Sequence, residues 1–401
     1  MRVLVTTHGM LSNLRGVFPM AHALQRAGHD VAVGTTDAMK TYVESEGMRH
    51  IPAGHDWRGE MVREVQEMGG ELGPALRDDD VRYGLALRHF TGPTALAAAG
   101  ALIEASRMWR PDLVVRSWVE FGGYLAAEAL GVPHISLGIS GGPVPRLLPR
   151  ALAPPLAAHR RELGLPSDPD GRTVYRHRHV ALVPEVYDPA LATLPNTVHH
   201  RHENPVQAHD RVPGELAEAL SGRGDRPLVL VSFGTLAPIL RGEDASRIED
   251  LLCAVVDALS RLHCLAVVAG RDLPLGNWAE SLPAHVHLVG DFPPSLLLEQ
   301  CDVFVTHAGF NSVRESLSSG VPMVAIPLIA EQSYNAWRCS DLGVARTVGL
   351  GDATAGRIAD SCREVLSDSS YAARAGRMRS AIRELPSLDG FAAGLRPGTQ
   401  G

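Results

Sequence analysis

Two Rossmann-like α/β domains with parallel sheets are the fold that three features of the sequence predict. Short apolar runs alternate with helical patterns in both halves, 401 residues exceed what one ordinary core organises, and a polar stretch rich in Pro and Gly divides them. The boundaries read as 1–205 for the first domain, 206–226 for the linker, 227–385 for the second domain and 386–401 for a C-terminal tail.

Taken in order, Arg2 to Thr7 is a first strand and His8 to Asn13 a loop. A helix follows, with apolar positions Leu14, Val17, Met20, Ala21 and Leu24 at helical spacing; Gly28 ends it, and Asp30 to Gly34 is the second strand. The same unit repeats as a strand from Asp112 to Val115, a helix from Gly122 to Leu130 and a strand from His134 to Leu137. Between Ile51 and Ser106 the pattern is helical, with Trp57, Tyr83, Phe90 and Trp109 interspersed. Gly141 to Pro155 reads as a loop, Ala157 to Leu163 as a helix, and the histidines at 177, 179, 199, 200, 202 and 209 as surface residues without metal-ligand spacing. No G-x-G-x-x-G follows the first strand, which argues against a nicotinamide cofactor.

The second half opens with the buried strand Leu228 to Val231 and the turn Ser232-Phe233-Gly234-Thr235. A helix from Ser246 to Ser260 and strands at Leu265 to Val268 and Val286 to Val289 lead to Asp291-Phe292-Pro293-Pro294. Cys301 to Val305 is the next strand, Ser312 to Ser319 a helix, and Val321 to Pro327 another strand, with Glu331-Gln332 beyond its carboxyl end. The turn between Val305 and Ser312 has small residues, free amides at a helix start and one His, a combination that suits a diphosphate.

Composition narrows the function. An apolar fraction of 45% with 21% charged residues is that of a soluble globular protein, and a net charge of −7 argues against nucleic-acid or membrane-surface partners. The N-terminus runs straight into Val3-Leu4-Val5 without an apolar leader, and no run approaches membrane-spanning length, so a cytoplasmic location is expected. All five cysteines lie in the second half with no C-x-x-C pair, so neither a zinc site nor a disulfide framework is expected.

The spacing His307-x-Gly309-x-x-Ser312-x-x-Glu315, then Gly320-x-Pro322, Pro327 and Glu331-Gln332, resembles the donor signature of GT-B glycosyltransferases of the family 1 type. The order and length of the chain resemble the bacterial branch that decorates macrolides, enediynes and other antibiotics. Taken singly, His307 reads as a core histidine and Glu315 as a solvated helix residue; the set reads as a site. The resemblance implies two domains facing a central cleft and an inverting, metal-independent transfer from a UDP- or dTDP-sugar co-substrate to a hydrophobic natural-product acceptor, with no other cofactor. A homodimer is compatible with it.

By the same resemblance, His307, Gly309, Asn311 and Ser312, with the Gly234-Thr235 turn, hold the diphosphate. Glu315 binds the ribose, Glu331 and Gln332 face the sugar, and Phe292 contacts the base. Trp57, Trp118 and Phe121 belong to the acceptor wall. Relatives carry a His base in the loop after the first strand and an Asp that orients it; here Asn13 and Ser117 stand at those positions. His8 and Glu120 are the replacements that the sequence offers. The alternative is a nucleotide-sugar-binding auxiliary protein, or a weakly active homologue, of the same fold.

Overall fold

Val, Leu and Ala fill the strand runs so completely that the strands must be covered on both faces, which is the signature of parallel sheets. In the computed structural model, which describes residues 1–54, 79–202, 211–234, 243–270, 282–290, 293–329 and 331–396, Val3, Leu4, Val5 and Leu228 to Val231 are all fully buried. By its internal contacts the chain divides into two units, Met1–Glu203 with Leu385–Gly401, and Asn204–Glu384.

The first unit runs β1 (Arg2–Thr6), α1 (Leu11–Arg26), β2 (Asp30–Thr35), α2 (Lys40–Ser45), β3 (Arg49–Pro52), α3 (Asp79–Phe90), α4 (Pro93–Trp109), β4 (Leu113–Ser117), α5 (Phe121–Leu130), β5 (His134–Gly138), α6 (Pro149–Glu162), β6 (Arg178–Ala181) and β7 (Thr197–His199). Its strands pair in parallel in the order β3-β2-β1-β4-β5-β6-β7. The order reverses between β1 and β4, where Thr6 pairs with Arg116, so the carboxyl ends of these two strands frame the crevice in which such sheets bind ligands.

The second unit runs α7 (Gly214–Ser221), β8 (Leu228–Ser232), α8 (Glu243–Ser260), β9 (Leu265–Ala269), β10 (Val286–Val289), α9 (Ser295–Leu298), β11 (Val303–Thr306), α10 (Phe310–Ser319), β12 (Met323–Ala325), α11 (Gln332–Asp341), β13 (Ala345–Thr347), α12 (Ala355–Ser367) and α13 (Ser369–Glu384). Its parallel order is β10-β9-β8-β11-β12-β13, with the reversal between β8 and β11, where Ser232 pairs with Thr306. Among the described residues no helix is long and apolar enough to cross a membrane.

Several local expectations are corrected. The residues after 385 form α14 (Leu388–Gly394), whose Leu388, Phe391 and Ala392 join the core of the first unit, while Arg26 on α1 donates to Asp389 at 2.7 Å. Helix α6 begins at Pro149 rather than at Ala157: its first proline sits where a missing N–H costs nothing, and burial of Leu152, Ala153 and Leu156 offsets the bonds lost at Pro154 and Pro155. His179, His200 and His202 are buried rather than superficial, because His179 lies within the added strand β6 and His200 packs on Phe391 of α14. Helix α1 starts at Leu11, which puts Asn13 in its first turn instead of in the preceding loop.

Candidate active site

Each sheet reversal gathers functional side chains. In the second unit β11 delivers His307, only 6% exposed, against the end of β8. Two glycines make room for its ring: a Cβ on Gly234 would stand 2.6 Å from the imidazole, and one on Gly309 would overlap it. Gly234 also has a φ of +67°, which favours glycine by itself. Burial drives the His307 pKa down to about 4, with a hydrogen bond to the Ser232 backbone opposing, so the ring is neutral at pH 7.

Directly after His307 the chain enters α10 with Gly309 as N-cap and no side-chain cap. The first intrahelical bond is Val313 N to Gly309 O at 3.0 Å, so the amides of Phe310, Asn311 and Ser312 precede the ladder. Positive potential therefore concentrates where the His307 ring lies. Asn311 accepts from Arg314, a side chain 1% exposed that lies over the Phe310 ring. Glu315 is half-buried one turn further along. Glu331 is the N-cap of α11, and Gln332 behind it is 1% exposed. The Gln332 carbonyl oxygen accepts the amides of Leu328 at 2.8 Å and Ile329 at 3.0 Å, which fastens the loop after β12.

In the first unit a pocket opens at the β1–β4 reversal, lined among others by Thr6, His8, Phe90, Glu120 and Phe121. His8 stacks on Phe90 with ring centroids 4.5 Å apart, and its Nε2 lies 3.2 Å from the Val119 carbonyl oxygen. A carbonyl only accepts, so Nε2 carries the proton and Nδ1 holds the lone pair. Burial takes the His8 pKa down to about 4. Glu120, 5% exposed, caps α5 through the Gly123 amide at 2.9 Å and accepts the Thr6 hydroxyl. Its carboxyl is pushed up by burial, against the hydrogen bonds from Thr6 and Gly123 and the charge of Arg116.

Arg116, which the sequence reading passed over, is fully buried on β4. Its guanidinium donates to the carbonyls of Ser117 at 3.3 Å, Trp118 at 2.7 Å and Val174 at 3.0 Å, and lies 5.2 Å from the Phe121 ring centre. It thereby pins the turn that carries Glu120. The polarity of its neighbours gave no signal in the linear sequence, because those partners are backbone carbonyls.

The structure thus brings His8, Glu120 and Phe121 together and leaves Asn13, Ser117 and Trp118 outside the pocket lining. Asn13 is half-buried; Ser117 is fully buried. Trp118 is 2% exposed, stacks on His179, and donates its indole N–H to Ser140 at 2.5 Å. Trp57, Thr235, Phe292 and His209 lie outside the described residues. Among the described residues no group of three or more His, Cys, Asp or Glu side chains is placed to hold a metal ion.

With this geometry in view, the chain matches the family described as UDP-glucoronosyl and UDP-glucosyl transferase over residues 170–387, more than half its length. Residues 22–148 match the N-terminal domain of erythromycin biosynthesis protein CIII-like proteins. It is 27% identical to the 3-alpha-mycarosylerythronolide B desosaminyl transferase of Saccharopolyspora erythraea, over 96% of each chain. It is 28% identical to the L-demethylnoviosyl transferase of Streptomyces niveus, over 99% of each. Among solved structures, the glycosyltransferase SsfS6 of Streptomyces sp. SF2575, complexed with thymidine diphosphate, superposes with a TM-score of 0.76 at 26% identity, over 98% of each chain. The calicheamicin glycosyltransferase CalG4 shares the fold, with a TM-score of 0.76 at 20% identity, over 98% of this chain and 96% of its own. The fold is therefore GT-B, and the chain belongs to the UDP-glucoronosyl and UDP-glucosyl transferase family of inverting glycosyltransferases.

Proposed function

We propose that this glycosyltransferase moves a sugar from a dTDP- or UDP-sugar to a hydroxyl of a hydrophobic natural-product acceptor in the cytoplasm, with inversion and with neither a metal nor another cofactor. The observation that carries the donor half is the His307 imidazole held between Gly234 and Gly309 at the uncapped start of α10. As the bond to the anomeric carbon breaks, negative charge grows on the departing diphosphate. First-turn amides and the side chains of Asn311 and Ser312 are donors for it, as is the Gly234-Thr235 turn, while the His307 ring, its N–H given to the Ser232 backbone, packs beside them. Glu315 takes the ribose, Phe292 the base, and Glu331 with the Gln332 amide the sugar hydroxyls. The choice of nucleotide draws on SsfS6, whose structure holds thymidine diphosphate, and the acceptor class on the relatives' names.

His8 is the group on the first unit that takes the acceptor proton, at Nδ1, because its other nitrogen is committed to Val119. Asn13 orients the acceptor, and Trp57 and Phe121 build its apolar wall, with the buried Trp118 behind it on the His179 ring. A weakly active or auxiliary nucleotide-sugar-binding protein is the second reading, favoured by Asn13 and Ser117 in the positions of the usual base dyad; donor hydrolysis without acceptor turnover would select it. The first test is calorimetry of dTDP and UDP with the unaltered chain and with His307→Ala. At least tenfold weaker binding of the preferred nucleotide, with an unchanged circular dichroism spectrum, is expected. Equal affinity would remove the diphosphate from this turn.

A further inference from the structure

Ala308, between His307 and Gly309, has a φ of +60°. L-residues avoid that region, at a cost in population of roughly 5–30-fold, and an alanine carries no polar side chain to hydrogen-bond its own backbone there. Ala308 is also fully buried, so no solvent contact compensates. Two groups hold it: Thr306 Oγ1 accepts its amide at 3.3 Å, and Asn335 Nδ2 donates to its carbonyl at 3.0 Å. Asn335 is fully buried on α11, 27 residues downstream.

The strained residue has a geometric consequence. The left-handed step turns the chain back over the residue before it, so that Gly309, the N-cap of α10, lies against the His307 ring. With an ordinary φ at Ala308 the chain would leave in another direction, and the imidazole would no longer meet the helix amides. Strain held in this way, at a site and by a distant side chain, is a mark of preorganisation.

We propose that Asn335 is a positioning residue of the donor site: by holding the Ala308 carbonyl it keeps the His307–Gly309 turn in the conformation that receives the diphosphate. The inference rests on the donor-site reading above. It predicts a cost in donor affinity rather than in the chemical step, and a dependence on the strain at residue 308.

Asn335→Leu keeps the volume and deletes the donor. In calorimetry with dTDP and UDP it is expected to weaken the preferred nucleotide about tenfold, about 1.4 kcal/mol. In turnover it raises the donor KM, leaving the acceptor KM and the kcat at saturating donor within about twofold. Ala308→Gly added to that variant should restore affinity at least threefold, and by more than the same change does in the unaltered chain, because glycine adopts a positive φ without strain. Asn335→Ser, whose hydroxyl is too short to reach the carbonyl, replaces the leucine variant if that fails to fold. Unchanged affinity in either variant, or equal effects of Ala308→Gly in both backgrounds, would overturn the proposal. The His307→Ala arm separates the two levels. If it weakens binding and Asn335→Leu does not, only the positioning role falls; if neither does, the donor-site reading falls with it.

Discussion

An imidazole whose N–H is tied to a carbonyl can accept a proton only at its second nitrogen, and that is the state of His8. Its pKa of about 4 makes it a weak base, but one that is unprotonated at neutral pH. Replacing it by alanine should lower kcat by roughly 10²-fold and leave dTDP affinity unchanged. The acid limb of the kcat profile should lie below about pH 5. A limb near 6.5, or full turnover without the imidazole, would exclude His8 as base. Glu120 contrasts with it, since both carboxyl oxygens accept the Gly123 amide, at 2.9 and 3.0 Å, and one also accepts the Thr6 hydroxyl. Gln at this position preserves the cap, so turnover within about threefold of the unaltered chain is expected, whereas Ala exposes the helix start and costs about 1 kcal/mol of stability. None of this partnering was readable from the sequence. Thr6, Phe90 and Val119 belong to three separate segments, and only the β1–β4 reversal assembles them around His8.

At the scale of elements the two halves differ in how much the sequence disclosed. The donor turn is local: β11, His307 and α10 are contiguous, so spacing alone laid out strand, turn and helix, with the strand shifted to Val303–Thr306 and the helix start to Phe310. Strand β6 and the edge strand β7 have four and three residues, too few for an alternating pattern to emerge, and the histidines on and beside them resemble surface residues until a neighbour covers them. Trp118 and Tyr175 cover His179, whereas for His200, just beyond β7, the cover is α14, which returns from the far end of the chain. A seven-residue helix has little stability of its own, and its apolar positions mean nothing without the partner helix α1. Its anchor is Phe391, 7% exposed against the His200 ring. Phe391→Ala should destabilise the first unit by about 3 kcal/mol. Urea unfolding followed by a probe within that unit measures this, and a midpoint equal to that of the unaltered chain would show that α14 is dispensable.

Across the whole molecule, buried imidazoles make stability depend on pH with a definite sign. In the first unit His134 and His179 are 1% and 0% exposed, and burial lowers their pKa values to about 4 and about 3. In the second unit His307 is lowered to about 4. The unfolded chain binds these protons near pH 6.5 and the folded chain does not, so folding is favoured above 6.5 and loses stability as the pH falls from 6.5 towards 4. Glu120 acts in the opposite sense: its raised pKa contributes stability below its unfolded value of 4.5 that is lost as the pH rises through the folded one. Being a single group against several imidazoles, it does not reverse the trend between pH 6.5 and 5. Each imidazole costs about 1.4 kcal/mol per pH unit in that window. The first unit, which also holds His8 at about 4, therefore loses about 4 kcal/mol per unit, and the second about a third as much. Calorimetric scans from pH 7.5 to 5 should show the melting temperature falling below pH 6.5, with the transition of the first unit moving further than that of the second. Melting temperatures that stay level to pH 5 would mean that these rings are protonated or hydrated in the folded protein. A larger shift for the second unit would mean that His134 and His179 find compensation that Glu128, 3.7 Å from His134, already begins to supply.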